Sequence, residues 1–213
     1  MKFLDLLEIV GEEPLFETGL LLTGDVDSND VRRQLSRWAQ AGKILQLRRG
    51  LYALAPPYVK KDLHPFLIAN HLARGSYVSC QSALAHYGLI PEYVPVTISV
   101  SGDRPARWST PLGVYEFHHI KKEFLFGYRR TEVGPGEEAF VATPEKALLD
   151  LIYFQPGGDL PAYLKELRLQ NLEQINLSEL ERQVGISGQP KLHRASGVIA
   201  DLVQAEQEEY EVL

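Results

Sequence analysis

Two adjacent prolines, Pro56 and Pro57, divide this chain of 213 residues. A prolyl ring removes a backbone donor, fixes φ and restricts the residue before it, so a pair of them interrupts helix and sheet alike and favours an extended connector. The expected organisation is an N-terminal domain over residues 1–57, a linker over 58–62 and a second domain over 63–213. Charge divides the chain at nearly the same place. Residues 1–30 hold Lys2 against eight acids, whereas residues 31–61 hold Arg32, Arg33, Arg37, Lys43, Arg48, Arg49, Lys60 and Lys61 and no acid. Residues 63–213 carry 13 basic and 19 acidic side chains and end in the acidic run QAEQEEYEVL. The net charge of −6, which alone argues against a nucleic-acid partner, therefore conceals a local basic segment.

Upstream of the prolines, Phe3, Leu4, Leu7 and Val10 recur at helical spacing before Gly11, which predicts a first helix. Pro14 and the run LFETGLLL, broken at Thr23-Gly24, predict a short second helix. Ser28 or Asn29 is a suitable N-cap for a third that ends at Gly42. In KILQLRRGLYAL, Ile44–Leu47 and Leu51–Leu54 read as strands joined by Arg48-Arg49-Gly50. Three helices followed by a hairpin is the order of a winged helix-turn-helix.

At 100° per residue, Val31, Leu35, Trp38 and Ala39 of the third helix form one stripe. Arg33, Ser36, Arg37 and Gln40 form the opposite face, with Arg32 at its edge. Arginine forks match guanine O6/N7 or phosphate oxygens, and Ser and Gln reach base edges or backbone, so this face has the chemistry of a major-groove helix. Arg48 and Arg49 at the hairpin tip are expected against phosphates or in a minor groove, with Lys43 near the backbone. A merely solvated helix face would carry similar charges. Trp38 reads as core rather than as a base-stacking platform.

Downstream, LHPFLIANHLARG and SCQSALAHYG read as helices closed by Gly75 and Gly88, and VPVTISVSG and GVYEFHHI alternate as strands. AFVATPEKALLDLIYF reads as a strand entering a helix capped by Thr143 with Pro144 in its first turn. The last 45 residues or so read as helical, with Leu177, Leu180 and Val184, then Val198, Leu202 and Val203, turned inward. The expected class is α+β: an N-terminal winged helix-turn-helix, then a mixed α/β domain ending in a helical segment.

The succession R-x-L-x-R-W-x-x-x-G-x-I-x-x-L-x-R-G-L-Y-A (Arg33 to Ala53), SYVSCQSALAHYGLIPE (Ser76 to Glu92) and ATPEKALLDLIYF (Ala142 to Phe154) resembles the abortive-infection type IV antitoxins, the AbiEi-like family, over about residues 1–155. The resemblance implies a winged helix that represses its own operon, binding the promoter as double-stranded DNA. It also implies a C-terminal domain that counteracts a nucleotidyltransferase-like toxin encoded beside it. The final 60 residues carry no motif of that family.

No enzyme is expected. Ser76, Ser79 and Ser82 have no recognisable base or oxyanion hole, and caps plus a packed helix account for them. His86 reads as a partly buried helix residue. His118 and His119 on one strand point to opposite faces, which is wrong for shared metal binding. Glu145 reads as first-turn charge and Lys146/Asp150 as an exposed i, i+4 pair. There is no phosphate-binding G-x-x-x-x-G-K-[ST] motif and no toxin-like G-S…D-x-D/E pattern. Cys80, the one cysteine, reads as a packing residue without disulfide or zinc role. No metal, no cofactor and no membrane span are expected, and the acidic start MKFLDLLEIVGEE points to the cytoplasm. Two other function classes fit parts of the pattern. One is a ligand-responsive winged-helix transcription factor whose second domain senses a small molecule in an apolar pocket. The other is an enzyme whose site is dispersed in sequence.

Overall fold

The computed structural model describes residues 1–11, 13–22, 26–60 and 62–211. The break at Thr23-Gly24 and Lys61 of the linker lie outside the described residues. The fold is α+β. Its N-terminal part runs through helix α1 (Phe3–Val10), strand β1 (Leu15–Glu17), a 3-10 turn (Thr18–Leu21), helix α2 (Ser28–Gln40) and strands β2 (Ile44–Arg48) and β3 (Leu51–Leu54). Leu6 rather than Leu4 turns inward on α1, and Leu4 is exposed. Asp27, not Ser28 or Asn29, caps α2: its backbone is extended and its carboxylate accepts from the Asn29 N–H at 2.8 Å.

The expected second helix is instead a strand and a 3-10 turn. Leu15 and Phe16 each find a different core, which only the two-residue period of a strand allows, and Leu15–Glu17 pair antiparallel with Leu51–Ala53. The resulting three-stranded sheet, ordered β1-β3-β2, is apolar on both faces. Phe16, Ile44, Tyr52 and Leu54 pack on Leu6, Val10, Val31, Leu35 and Trp38 of the two helices. Leu15, Leu47, Leu51 and Ala53 join the large core of the rest of the molecule. Tyr58, at the start of the expected linker, is held edge-on to Phe3 with ring centroids 4.7 Å apart.

The remainder comprises α3 (Pro65–Leu72), β4 (Tyr77–Val78), α4 (Cys80–His86), β5 (Val96–Ser101), β6 (Ala106–Thr110), β7 (Gly113–His119), β8 (Tyr128–Gly134) and β9 (Glu137–Ala142). It closes with α5 (Pro144–Phe154), α6 (Pro161–Glu166), α7 (Leu177–Ser187) and α8 (Pro190–Glu211). Six strands form one mixed sheet in the order β6-β7-β5-β4-β9-β8, with β5/β7 and β4/β9 parallel and the other pairs antiparallel. Thr143 caps α5, accepting from the Lys146 N–H at 3.4 Å, with Pro144 in the first turn. Leu180, Val184, Leu192, Ala195, Ile199 and Val203 bring α7 and α8 into the same large core. Among the described residues no helix is long and apolar enough to cross a membrane.

Lys146 and Asp150 are not an exposed pair. Their side chains are 3% and 1% exposed, and the ammonium bonds Asp150 Oδ1 directly. Asp150 Oδ2 accepts from Tyr77 Oη at 3.0 Å and Ser79 Oγ at 2.7 Å. The reason is the rest of α5: Ala147, Leu148, Leu149, Leu151 and Ile152 are also buried, so the helix is enclosed around its circumference. Glu145 is buried too, accepting from the Asn176 N–H at 2.8 Å.

Candidate nucleic-acid interface

Helix α2 owes its orientation to Val31, Leu35 and Trp38, which are buried against α1 and the small sheet. Burial of that stripe fixes what the other side presents. Arg32, Arg33, Ser36, Arg37 and Gln40 are all exposed, on consecutive turns of one helix. Among the described residues the only internal side-chain partner of this group is Asp30, whose carboxylate holds the Arg33 guanidinium at 2.5 Å. That pair is largely solvated and contributes little to stability, so it leaves Arg33 free to exchange partners. No acid lies between Asp30 and Asp62, and the face is therefore basic along most of its length.

The remaining three expected contacts separate. Lys43 is half-buried, with its ammonium 4.8 Å from the Phe3 ring centroid, a cation–π contact that ties the end of α2 to α1. Arg49 is exposed at the hairpin tip. Arg48 is turned into the protein: Nε donates to the Leu72 carbonyl at 3.1 Å and another guanidinium nitrogen to the His71 carbonyl at 3.3 Å, at the C-terminus of α3. A charge-assisted bond to the last carbonyls of a helix satisfies acceptors that the helix itself leaves open. Glu17 completes the joint, 3.5 Å from Arg48 and 2.7 Å from Arg74. Arg74 lies outside the expected set; its place after α3 gives no sign in sequence that it neighbours the hairpin. Arg48→Ala is expected to cost about 2 kcal/mol, lowering Tm by roughly 4–8 °C in a chain of this size, because two carbonyls lose their donor. Arg49→Ala should leave Tm unchanged in the same thermal melt; equal melts for the two variants would mean that Arg48 holds nothing.

The serines and histidines do not converge on a reactive centre. Ser79 donates to Asp150, and Ser82 bridges α4 to β5 by donating to the Val96 carbonyl at 3.1 Å and accepting from the Ile98 N–H at 2.8 Å. The cavity touching Lys146 and Asp150 is about 10 Å³, too small for a substrate. Burial, then the neighbouring Asp150 carboxylate, push the Tyr77 phenol far above its usual range, so it stays a donor. His118 stacks on Phe154 while His119 faces the Asp103 carbonyl, on the other side of β7. Among the described residues no three of His, Cys, Asp and Glu gather as a metal site. A surface groove of about 680 Å³ runs past Phe66, His86, Tyr93 and Tyr115, with Tyr93 almost fully exposed at its rim. Burial lowers the His64 and His86 imidazoles beside it, His86 adding to the effect on His64.

No protein-family description matches the chain, and no curated protein does. In fold it is similar to the crystal structure of the RV2827C protein from Mycobacterium tuberculosis, with a TM-score of 0.55 and 20% sequence identity over 93% of this chain and 75% of that one. At that identity the likeness concerns the fold alone.

Proposed function

We propose that residues 1–57 act as a winged helix-turn-helix, with α2 as the helix that enters the major groove of double-stranded DNA, and that the protein is a transcriptional repressor of its own operon. The observation that carries this is the exposed face of α2, where Arg32, Arg33, Ser36, Arg37 and Gln40 stand together without an intervening acid while the opposite stripe is buried. The order helix, strand, turn, helix, hairpin supports the same reading. Arg49 is the wing residue in this account, and Arg48 positions the wing. An antitoxin role for residues 63–213 against a nucleotidyltransferase-like toxin rests on the resemblance of the three sequence motifs. A small-molecule sensor remains the second reading, for which the groove beside Tyr93 and Tyr115 is the one structural support.

The test is binding of the full chain to the DNA upstream of its own reading frame. Affinity should fall steeply with salt, with a log–log slope of about −4 to −6 if five to seven phosphates are neutralised. The full chain is required, because cutting after residue 57 would expose Leu15, Leu47, Leu51 and Ala53 to water. Retention of binding at high salt, or none at low salt, would remove the proposal.

A further inference from the structure

Strand β8 is an edge: the six-stranded sheet ends there, with β9 on its inner side. Just outside the ladder the Thr143 N–H donates to the Gly127 carbonyl at 2.8 Å. Alternation along an antiparallel pair then turns the backbone groups of Arg129 and Thr131 toward β9 and those of Tyr128, Arg130 and Glu132 outward. Strand β9 obeys the same parity. Phe140, opposite Arg130, turns its N–H away from β8 to Asn70 Oδ1 at 2.6 Å. The outward groups of β8 are a template for another strand.

The side chains specify which strand. Arg130 and Glu132 share one face and both are exposed. Glu132 stands directly opposite Glu138 on β9, a like-charge pair that weakens the sheet. Arg130 reaches across to Glu138 at 2.8 Å, and among the described residues no cation forms an ion pair with Glu132. The edge thus presents one arginine and one uncompensated glutamate two residues apart, a pattern that is its own complement when the strand direction is reversed.

We propose that β8 pairs antiparallel with β8 of a second copy of this chain about a twofold axis through Thr131, so that each Arg130 faces Glu132 of the partner subunit. The outward parity of Arg130 and Glu132 makes them a hydrogen-bonded pair across this axis. Other registers that keep the parity are worse. An axis through Arg130 sets two arginines face to face, and one through Glu132 sets two glutamates face to face. The irregularity between Glu132 and Gly134 ends the ladder, so the association is short and concentration-dependent.

Sedimentation of the full chain over a concentration series tests it. The wild-type chain should shift from monomer toward dimer. Arg130→Glu and Glu132→Arg should each weaken association roughly tenfold or more, since two symmetric attractions become repulsions, and the double reversal should restore it. Thr131 sits on the axis as a non-hydrogen-bonded pair, where Cα atoms approach closely enough for a disulfide, so Thr131→Cys should cross-link into a covalent dimer under mild oxidation. Cys80 is buried and does not compete. Circular dichroism of each variant establishes that it is folded. A wild-type monomer at every concentration, folded single reversals that still dimerise, a double reversal that does not recover, or no cross-link at residue 131 would each overturn the assignment.

Discussion

Replacing Asp150 with alanine is expected to cost about 3–5 kcal/mol of folding stability, lowering Tm by roughly 6–20 °C. The substitution leaves the Lys146 ammonium, 3% exposed, without its carboxylate, and it leaves the Tyr77 and Ser79 hydroxyls without their acceptor. Aromatic rings compensate only in part: the ammonium lies 4.9 Å from the Phe126 centroid and 5.7 Å from that of Tyr77. Lys146→Met is expected to cost less, because Asp150 keeps two hydroxyl donors. The double variant should be milder than the sum of the singles, since the uncompensated charge then disappears with its partner. Thermal or denaturant unfolding of the four proteins measures this. Strict additivity would mean that the pair is not coupled, and a loss below 1 kcal/mol for Asp150→Ala would mean that water reaches Lys146 freely.

This network explains what two of the three motifs specify. Tyr77 and Ser79 come from SYVSCQSALAHYG and Lys146 and Asp150 from ATPEKALLD, so the two segments meet inside the core, and α4 packs along α5. The side chains of Tyr77, Ser79, Lys146 and Asp150 hold the fold together and present no surface to a partner. Any contact with a toxin would have to be made by other residues.

The same network marks where sequence patterning stops being informative. A Lys and an Asp four residues apart look alike whether water or leucine surrounds them. The available signal was the company they keep: ALL and LIY on either side leave α5 no polar face wide enough to be a surface. Helices α2, α3 and α4, the hairpin of β2 and β3, and strands β5 and β7 were legible because apolar spacing and glycine stops agree there. Strand β1 was not, since Leu15-Phe16-Glu17 is too short to show a period and Pro14 suits a helix start equally well. Strand β4 is two residues long. Strand β8 reads YRRTEVG, with charge on both flanks of its centre, because an edge strand has little to bury. Within the basic set, exposure of Arg32, Arg33, Ser36, Arg37 and Gln40 followed from helical periodicity. The inward turn of Arg48 depended on α3 arriving from another part of the chain, which no local pattern encodes.

Charge reversal at Arg33 and Arg37 together is expected to reduce affinity for upstream operon DNA by roughly a hundredfold or more at moderate salt, because two phosphate or base contacts become repulsions and the counterions they released stay bound. Both side chains are exposed and, among the described residues, only Arg33 of the two has an internal ion pair, so folding stability should stay within about 0.5 kcal/mol of the parent. The loss should therefore appear in fluorescence anisotropy with labelled duplex while circular dichroism and Tm are unchanged. Gln40→Ala should act differently, shifting preference among sequences more than overall affinity, whereas Arg49→Ala should weaken specific and unrelated DNA alike. The double reversal also separates the two proposed roles. If residues 63–213 neutralise, by themselves acting on a protein, the nucleotidyltransferase-like toxin proposed as the partner, co-expression of the full-length Arg33→Glu/Arg37→Glu chain with that toxin should rescue cells as well as the wild type does. Loss of rescue by a folded variant would tie neutralisation to repression. Unchanged DNA binding would show instead that α2 is not the reader, and the basic face would then be a solvated surface and nothing more.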